Sequence, residues 1–238
     1  MPTDPENIIG LFDYDVLGAE GLALVITFVI LSLSLHEAAH AWAANAQGDP
    51  TARLQGRMTW NPLVHIDPWM TLILPTLSLL FLGFLFGGAR PVPVNPSNFK
   101  NPHRANALVA IAGPLSNFLL ALVFMGAWIL VLSLTDYEGN QLLPAVLRAA
   151  ALANVILAVF NLIPLPPLDG SRVVRWLMPS EARRSYDQLE PLGFVILIGL
   201  FYLVPGFSIW LGQTIQQAYI WTFELTNWVL TPVLDLLA

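Results

Sequence analysis

Apolar residues in this chain come in long blocks, not in the short alternating or 3.6-residue stripes of a soluble domain. Residues 21–45, 106–134, 144–163, 192–211 and 215–237 each run for 20 or more positions with few charges. At about 1.5 Å of rise per residue, a helix of that length crosses the about 30 Å hydrocarbon core of a bilayer. A further block, 69–88, fits less simply. Pro75 lies inside it and its exit is glycine-rich (GFLFGG), so it is expected to dip in and return, or to lie partly buried in the bundle. Between blocks, residues 51–60 (TARLQGRMTW) alternate weakly and predict a short hairpin or strand with Arg53 and Arg57 exposed. Residues 89–104 hold four prolines around Val92 and Val94, which predicts an extended, edge-like segment over 90–98. The pattern therefore predicts an all-α polytopic membrane protein with about five to six transmembrane helices. It divides into an N-terminal arm (1–20), a membrane core (21–178) and C-terminal transmembrane helices (179–238).

Composition supports the membrane assignment. Of 238 residues, 56% are hydrophobic and 11% charged, where a soluble domain has about 25% charged. Mean hydropathy is +0.65. Five acids (Asp4, Glu6, Asp13, Asp15, Glu20) precede the first apolar block, so the start does not read as a cleavable signal peptide. No basic tract points to nucleic acid. With no cysteine, disulfides and thiolate ligands are excluded. Trp69, Trp210, Trp221 and Trp228 sit near block ends, as interfacial anchors do.

Against this background, His36-Glu37-Ala38-Ala39-His40 stands out. No charged residue occurs from Gly21 to Leu35, and then three ionisable groups fall within five positions. Such groups inside an apolar span are costly and mark a functional site. Histidines four apart share one helix face, can hold one tetrahedral zinc, and flank a glutamate placed to act as a base. Zinc needs a third protein ligand. Asp169 is the best acidic candidate, because Asp-Gly after three prolines can turn a carboxylate inward; the alternative is an ordinary interfacial turn. His65 and His103 both lie in proline-rich loops. His65 and Asp67 read more simply as a loop cap than as a polar pair at a cavity mouth.

HEAAH in a first span, GPLSN (113–117) in a later one and NLIPLPPLDG (161–170) after the next resemble, in combination and order, the site-2 protease family of intramembrane zinc metalloproteases. HIDP and ARPVPVNP resemble its short prokaryotic members without a PDZ domain. The resemblance spans about residues 30–178. It implies that His36, His40 and Asp169 ligate one zinc ion, that Glu37 is the general base, and that Asn117 lies near the scissile carbonyl. Ser171 departs from the family pattern, where a second glycine often follows Asp-Gly. The implied activity is hydrolysis of peptide bonds within or near transmembrane segments of membrane-protein substrates, in a multi-pass protein of a prokaryotic cytoplasmic membrane. Two other classes are a metal-binding but non-proteolytic chaperone or regulator, which should lack the glutamate, and an ion-coupled transporter, which should show repeated halves. Glu37 is present and no internal repeat is visible.

His36 lies about 24 Å along the helix from Glu20, so the site is below the membrane surface. A substrate must then be a membrane segment unwound locally to expose its carbonyls, and residues 90–98 could pair with it as an added strand. For His40 and Asp169 to share a metal, block 69–88 must not cross. All basic residues except Arg148 then face one side.

Overall fold

A computed structural model describes residues 14–82, 87–134 and 141–236. Its elements are helical, and no strand occurs among the described residues. In order they are α1 (Tyr14–Ala46), α2 (Thr51–Leu54), α3 (Pro62–His65), a π-helical stretch (Pro68–Ile73) continuing into α4 (Leu74–Leu82), and a 3-10 turn (Pro96–Asn98). Then follow α5 (Pro102–Leu134), α6 (Leu142–Asn161), α7 (Asp169–Leu177), α8 (Ser180–Asp187), α9 (Gly193–Leu203) and α10 (Phe207–Asp235). Among the described residues, Val16–Ala46, Pro102–Leu134, Leu142–Asn161 and Ser180–Leu203 are long and apolar enough to cross a membrane. The chain is an integral membrane protein. The C-terminal block appears as α10, 29 residues long but interrupted by Gln213, Gln217, Glu224 and Asn227. Most of the arm at 1–13 and most of the acidic loop at 135–140 lie outside the described residues.

α6 is the central helix. More than half of its most apolar stretch is buried inside the protein, against 22% for α1 and 28% for α5. Lipid tails are as apolar as leucine, so close backbone approach and dispersion replace the hydrophobic effect as the packing force. The residues follow that rule: Ala38, Ala41 and Ala44 of α1 and Ala149, Ala150 and Ala151 of α6 are fully buried, while Leu22, Leu24 and Leu31 of α1 and Leu115 and Leu119 of α5 are exposed. α10 closes the bundle against α5 and α6, with Tyr219 packed among Ala121, Met125, Leu152 and Val155.

Two expectations need local correction. Thr51–Leu54 is a helical turn, not part of a hairpin or strand. Pro50 is the N-cap, and the Asp49 carboxylate before it accepts the Thr51 N–H at 3.1 Å, so a local Asx turn outweighs a weak alternation. Arg57 is not exposed; it is 6% exposed and faces inward. The segment from residue 90 is extended through Asn95 but ends there in the turn Pro96–Asn98, because Asn95 caps it by accepting the Ser97 N–H.

Block 69–88 enters and leaves at one level. The Gly88 N–H donates to the Met70 carbonyl at 2.9 Å, and the Thr71 hydroxyl donates to the Gly88 carbonyl at 2.8 Å. The start and end of the block are therefore hydrogen-bonded neighbours, as a re-entrant segment requires. Residues 83–86, within the expected glycine turn, lie outside the described residues. Asp67 caps the entry by accepting the Trp69 and Met70 N–H groups.

Candidate metal centre

The site is assembled from three helices. α1 carries His36, Glu37 and His40; α5 lies across them; α7 begins at Asp169. Pro164, Pro166 and Pro167 keep α6 from continuing, and the chain turns back so that α7 starts beside the α1 histidines. Gly170 makes that return possible. A Cβ there would collide with the Leu162 and Ile163 carbonyls at the end of α6.

His36 Nε2 and His40 Nε2 are 3.0 Å apart, and Asp169 Oδ2 is 3.2 and 3.3 Å from them. His36 and His40 are 4% and 8% exposed. The other ring nitrogens are taken. His36 Nδ1–H donates to Asn117 Oδ1 at 2.5 Å, and His40 Nδ1–H donates to the Val109 carbonyl at 2.7 Å. In the neutral form of each ring, Nε2 then presents a lone pair. Three acceptors converge on one point, and a single proton could bridge only two of them. A cation satisfies all three. The edges come close to those of a zinc site: metal–ligand bonds of 2.0–2.2 Å in a tetrahedron set ligands about 3.3–3.6 Å apart.

The glycine of GPLSN provides the room. A Cβ on Gly113 would lie 2.5 Å from His36 Nε2 and from His40 Cε1 and Nε2. Only a residue without a side chain lets α5 pass this close to the Nε2 edges of both imidazoles.

Glu37 is half-buried between the two histidines in sequence, and the nearest ligand atoms of His36, Glu37 and His40 all lie within 4.8 Å of one another. Its role is separated from theirs by its partner. Oε2 accepts the Val92 N–H at 2.9 Å, while Oε1 has no hydrogen-bond partner among the described residues. Asp169 is the carboxylate that meets both Nε2 atoms.

Asn117 is fully buried, and its amide is engaged at both ends: Oδ1 with His36, and Nδ2 donating to Asn154 Oδ1 at 3.0 Å. Asn154 Nδ2 in turn donates to the Ser32 hydroxyl at 2.9 Å and to the Ala150 carbonyl. This chain of amides through α5, α6 and α1 ends on a metal-facing histidine. Asn154 and Ser32 were not legible as site residues. The available signal was Ser32 one turn before His36, on the same helix face.

The remaining histidines lie elsewhere. His65 is 1% exposed and its Nε2 donates to the Thr59 carbonyl. His103 is exposed and accepts from Arg175 Nη1 at 3.0 Å. Asp49, also fully buried, was legible only as part of a helix stop. It accepts from the Asn95 N–H and Asn98 Nδ2, both at 2.7 Å, and so anchors the extended segment to the end of α1. Burial would raise its carboxyl, but hydrogen bonds from Thr51, Asn95 and Asn98 outweigh that and hold it below the usual carboxylate range.

The sequence profile of Peptidase family M50 matches residues 23–136 and 137–205. Two relatives bear the printed name "Putative zinc metalloprotease". YwhC of Bacillus subtilis (strain 168) is 42% identical over 190 residues, 77% of this chain and 81% of the relative. Rip2 of Mycolicibacterium smegmatis is 28% identical over 204 residues, 86% of this chain and 74% of the relative. No solved structure matches the chain.

Proposed function

The chain belongs to Peptidase family M50, and from that premise we propose that it is an intramembrane zinc metalloprotease acting in regulated proteolysis of membrane proteins. The observation that carries the metal assignment is the convergence of two Nε2 lone pairs and one carboxylate oxygen within 3.0–3.3 Å of one another. In this reading His36, His40 and Asp169 hold the zinc. Bound zinc supplies Lewis-acid polarisation of a peptide carbonyl and a nucleophile at neutral pH.

This chain's own residues do the rest. Glu37, with Oε1 unengaged, takes a proton from the attacking water and delivers it to the leaving amine. Asn117 acts here as a positioning residue. Its Oδ1 fixes the His36 tautomer and ring plane, and one of its two N–H groups goes to Asn154.

The substrate class follows from depth. His36 and His40 lie within α1, a helix able to cross the bilayer, so the substrate is a transmembrane segment of a membrane protein. Its backbone must unwind before a carbonyl is exposed. The extended residues 90–95 run beside Glu37 and give an unwound segment an edge to pair with. Among the described residues, the Val92 carbonyl and Val94 N–H have no partner. A cavity of about 370 Å³ lined by Pro166, Pro167, Ser171, Arg172, His103 and Asn106 opens next to the Asp169 turn and supports water access. The basic residues at 172, 175, 183 and 184 mark this face as cytoplasmic, in a prokaryotic plasma membrane.

The test is a cleavage assay on a panel of transmembrane peptides with the purified, zinc-loaded chain. Glu37→Gln should keep one zinc per chain and lose about 10²–10⁴ in rate. Asp169→Ala should lose most of the metal. Cleavage by Glu37→Gln at the wild-type rate would refute the base, and full zinc retention by Asp169→Ala would refute the ligand.

A further inference from the structure

Arg57 is a buried cation outside the metal centre. Burying a guanidinium is costly unless it is paired and hydrogen-bonded. Among the described residues it has no carboxylate within 4.0 Å, and its buried Nε–H lacks a partner. Its Nη2 instead donates to two consecutive carbonyls of the extended segment, Arg90 at 2.7 Å and Pro91 at 3.3 Å. The next peptide N–H is that of Val92, which donates to Glu37 Oε2.

The Arg90 peptide is held from its other side too, since its N–H donates to the His65 carbonyl at 2.7 Å. Residues 90–92 are thus gripped in three successive places. Pro91 and Pro93 flank Val92 and stiffen the backbone between those grips. Arg57 is the only side chain among the described residues that holds the carbonyls immediately before Val92.

We propose that Arg57 is a positioning residue for catalysis. By holding the Arg90 and Pro91 carbonyls it sets the Val92 N–H, and that N–H orients the Glu37 carboxylate with Oε1 toward the reacting water. Arg57 touches neither the metal ligands nor the substrate in this scheme, and its effect on the reaction passes through Val92. The inference rests on Glu37 being the base. It predicts a specific pattern that a merely structural arginine would not produce.

Five variants of the zinc-loaded protein test it in the peptide assay. Arg57→Met should lower kcat by about 10–100-fold and change KM by no more than about 2-fold, with one zinc retained per chain. Arg57→Lys, which keeps the charge and can reach one carbonyl, should recover part of that loss. Val92→Pro removes the N–H and places the ring Cδ where that hydrogen pointed at Glu37, so it should cost at least as much as Arg57→Met. The double variant Arg57→Met/Val92→Pro should be no worse than the more severe single one, because both act on one contact. Arg53→Met, an exposed cation on the same turn, should behave as wild type. Hydrogen exchange gives a readout independent of activity: amides of residues 88–95 should exchange faster in Arg57→Met. Wild-type kcat in Arg57→Met, additive losses in the double variant, a change in KM alone, or zinc loss in both Arg57 variants would each overturn the proposal. If Arg57→Met does not fold, Arg57→Lys takes its place in the cycle under the same criteria. Glu37→Gln run alongside separates the two claims: if it cleaves like wild type, the base assignment fails and not only this inference.

Discussion

Gly113→Ala offers a test of the close approach between α5 and the two imidazoles. Gly113 lies in the interior of α5, where glycine costs a helix roughly 0.5–1 kcal/mol relative to alanine. By that term the substitution should stabilise the metal-free fold. The new methyl, however, would lie 2.5 Å from His36 Nε2 and from two atoms of the His40 ring, where ordinary contact begins at 3.4 Å. Both rings must therefore retreat by about 0.9 Å, far beyond the ±0.2 Å tolerance of zinc–ligand distances. They cannot pivot away freely. Nδ1–H bonds to Asn117 and Val109 hold them, and the rings pack edge to face at a centroid distance of 4.6 Å. Metal analysis after equilibration at fixed free zinc should find well under one zinc per chain, and peptide cleavage should fall by at least about 10². Thermal unfolding completes the test. At a free-zinc concentration 100-fold above Kd, wild type should gain about 2.7 kcal/mol from the metal, whereas Gly113→Ala should gain none. Full zinc occupancy with normal cleavage would show that the imidazoles can move aside, and would refute the account of Gly113 as the space beside their Nε2 atoms.

Three further outcomes follow. Asn117→Ala strands the His36 Nδ1–H and Asn154 Oδ1 in a buried site, so zinc affinity should fall about 10–100-fold, as measured by competition with a chelator; unchanged affinity would deny it a positioning role. Single cysteines at Gln55, Ser97 and Ser185, all exposed, should label from one side of the membrane, and a cysteine at Gly139 from the other; labelling of 55 and 97 from opposite sides would break the re-entrant placement of 69–88. Because folding lowers the Asp49 carboxyl, its contribution to stability is present above the unfolded value of about 3.9 and is lost as pH falls through the lower folded value. The difference in melting temperature between wild type and Asp49→Asn should therefore shrink in acid, and a difference that stays constant from pH 7 to 3 would contradict the anchor.

What could be read from the chain alone is what depends on neighbours in sequence. The lengths of α1, α5 and α6 follow from unbroken apolar runs, since a bilayer requires each run to satisfy its own backbone. The pairing of His36 and His40 follows from helical spacing. Pro75 and the glycine-rich exit foretold the return of residues 69–88 for a similarly local reason. The local Asx turn at Asp49 was underestimated, and weak alternation concealed the helical turn at 51–54.

Contacts between residues distant in sequence were decided only by the tertiary structure. Asp169 joins His36 and His40 because α6 ends in prolines and Gly170 lets α7 pack tightly against that end. The engagement of Asn117 with His36 and Asn154, instead of an open position, depends on how α1, α5 and α6 face one another. Arg57 looked like a solvated charge in a polar stretch, yet the carbonyls it holds are more than thirty residues away. The same is true of the Val92 N–H on Glu37. Composition and periodicity describe what each segment can do by itself; which polar groups satisfy one another in a membrane is settled when the helices pack.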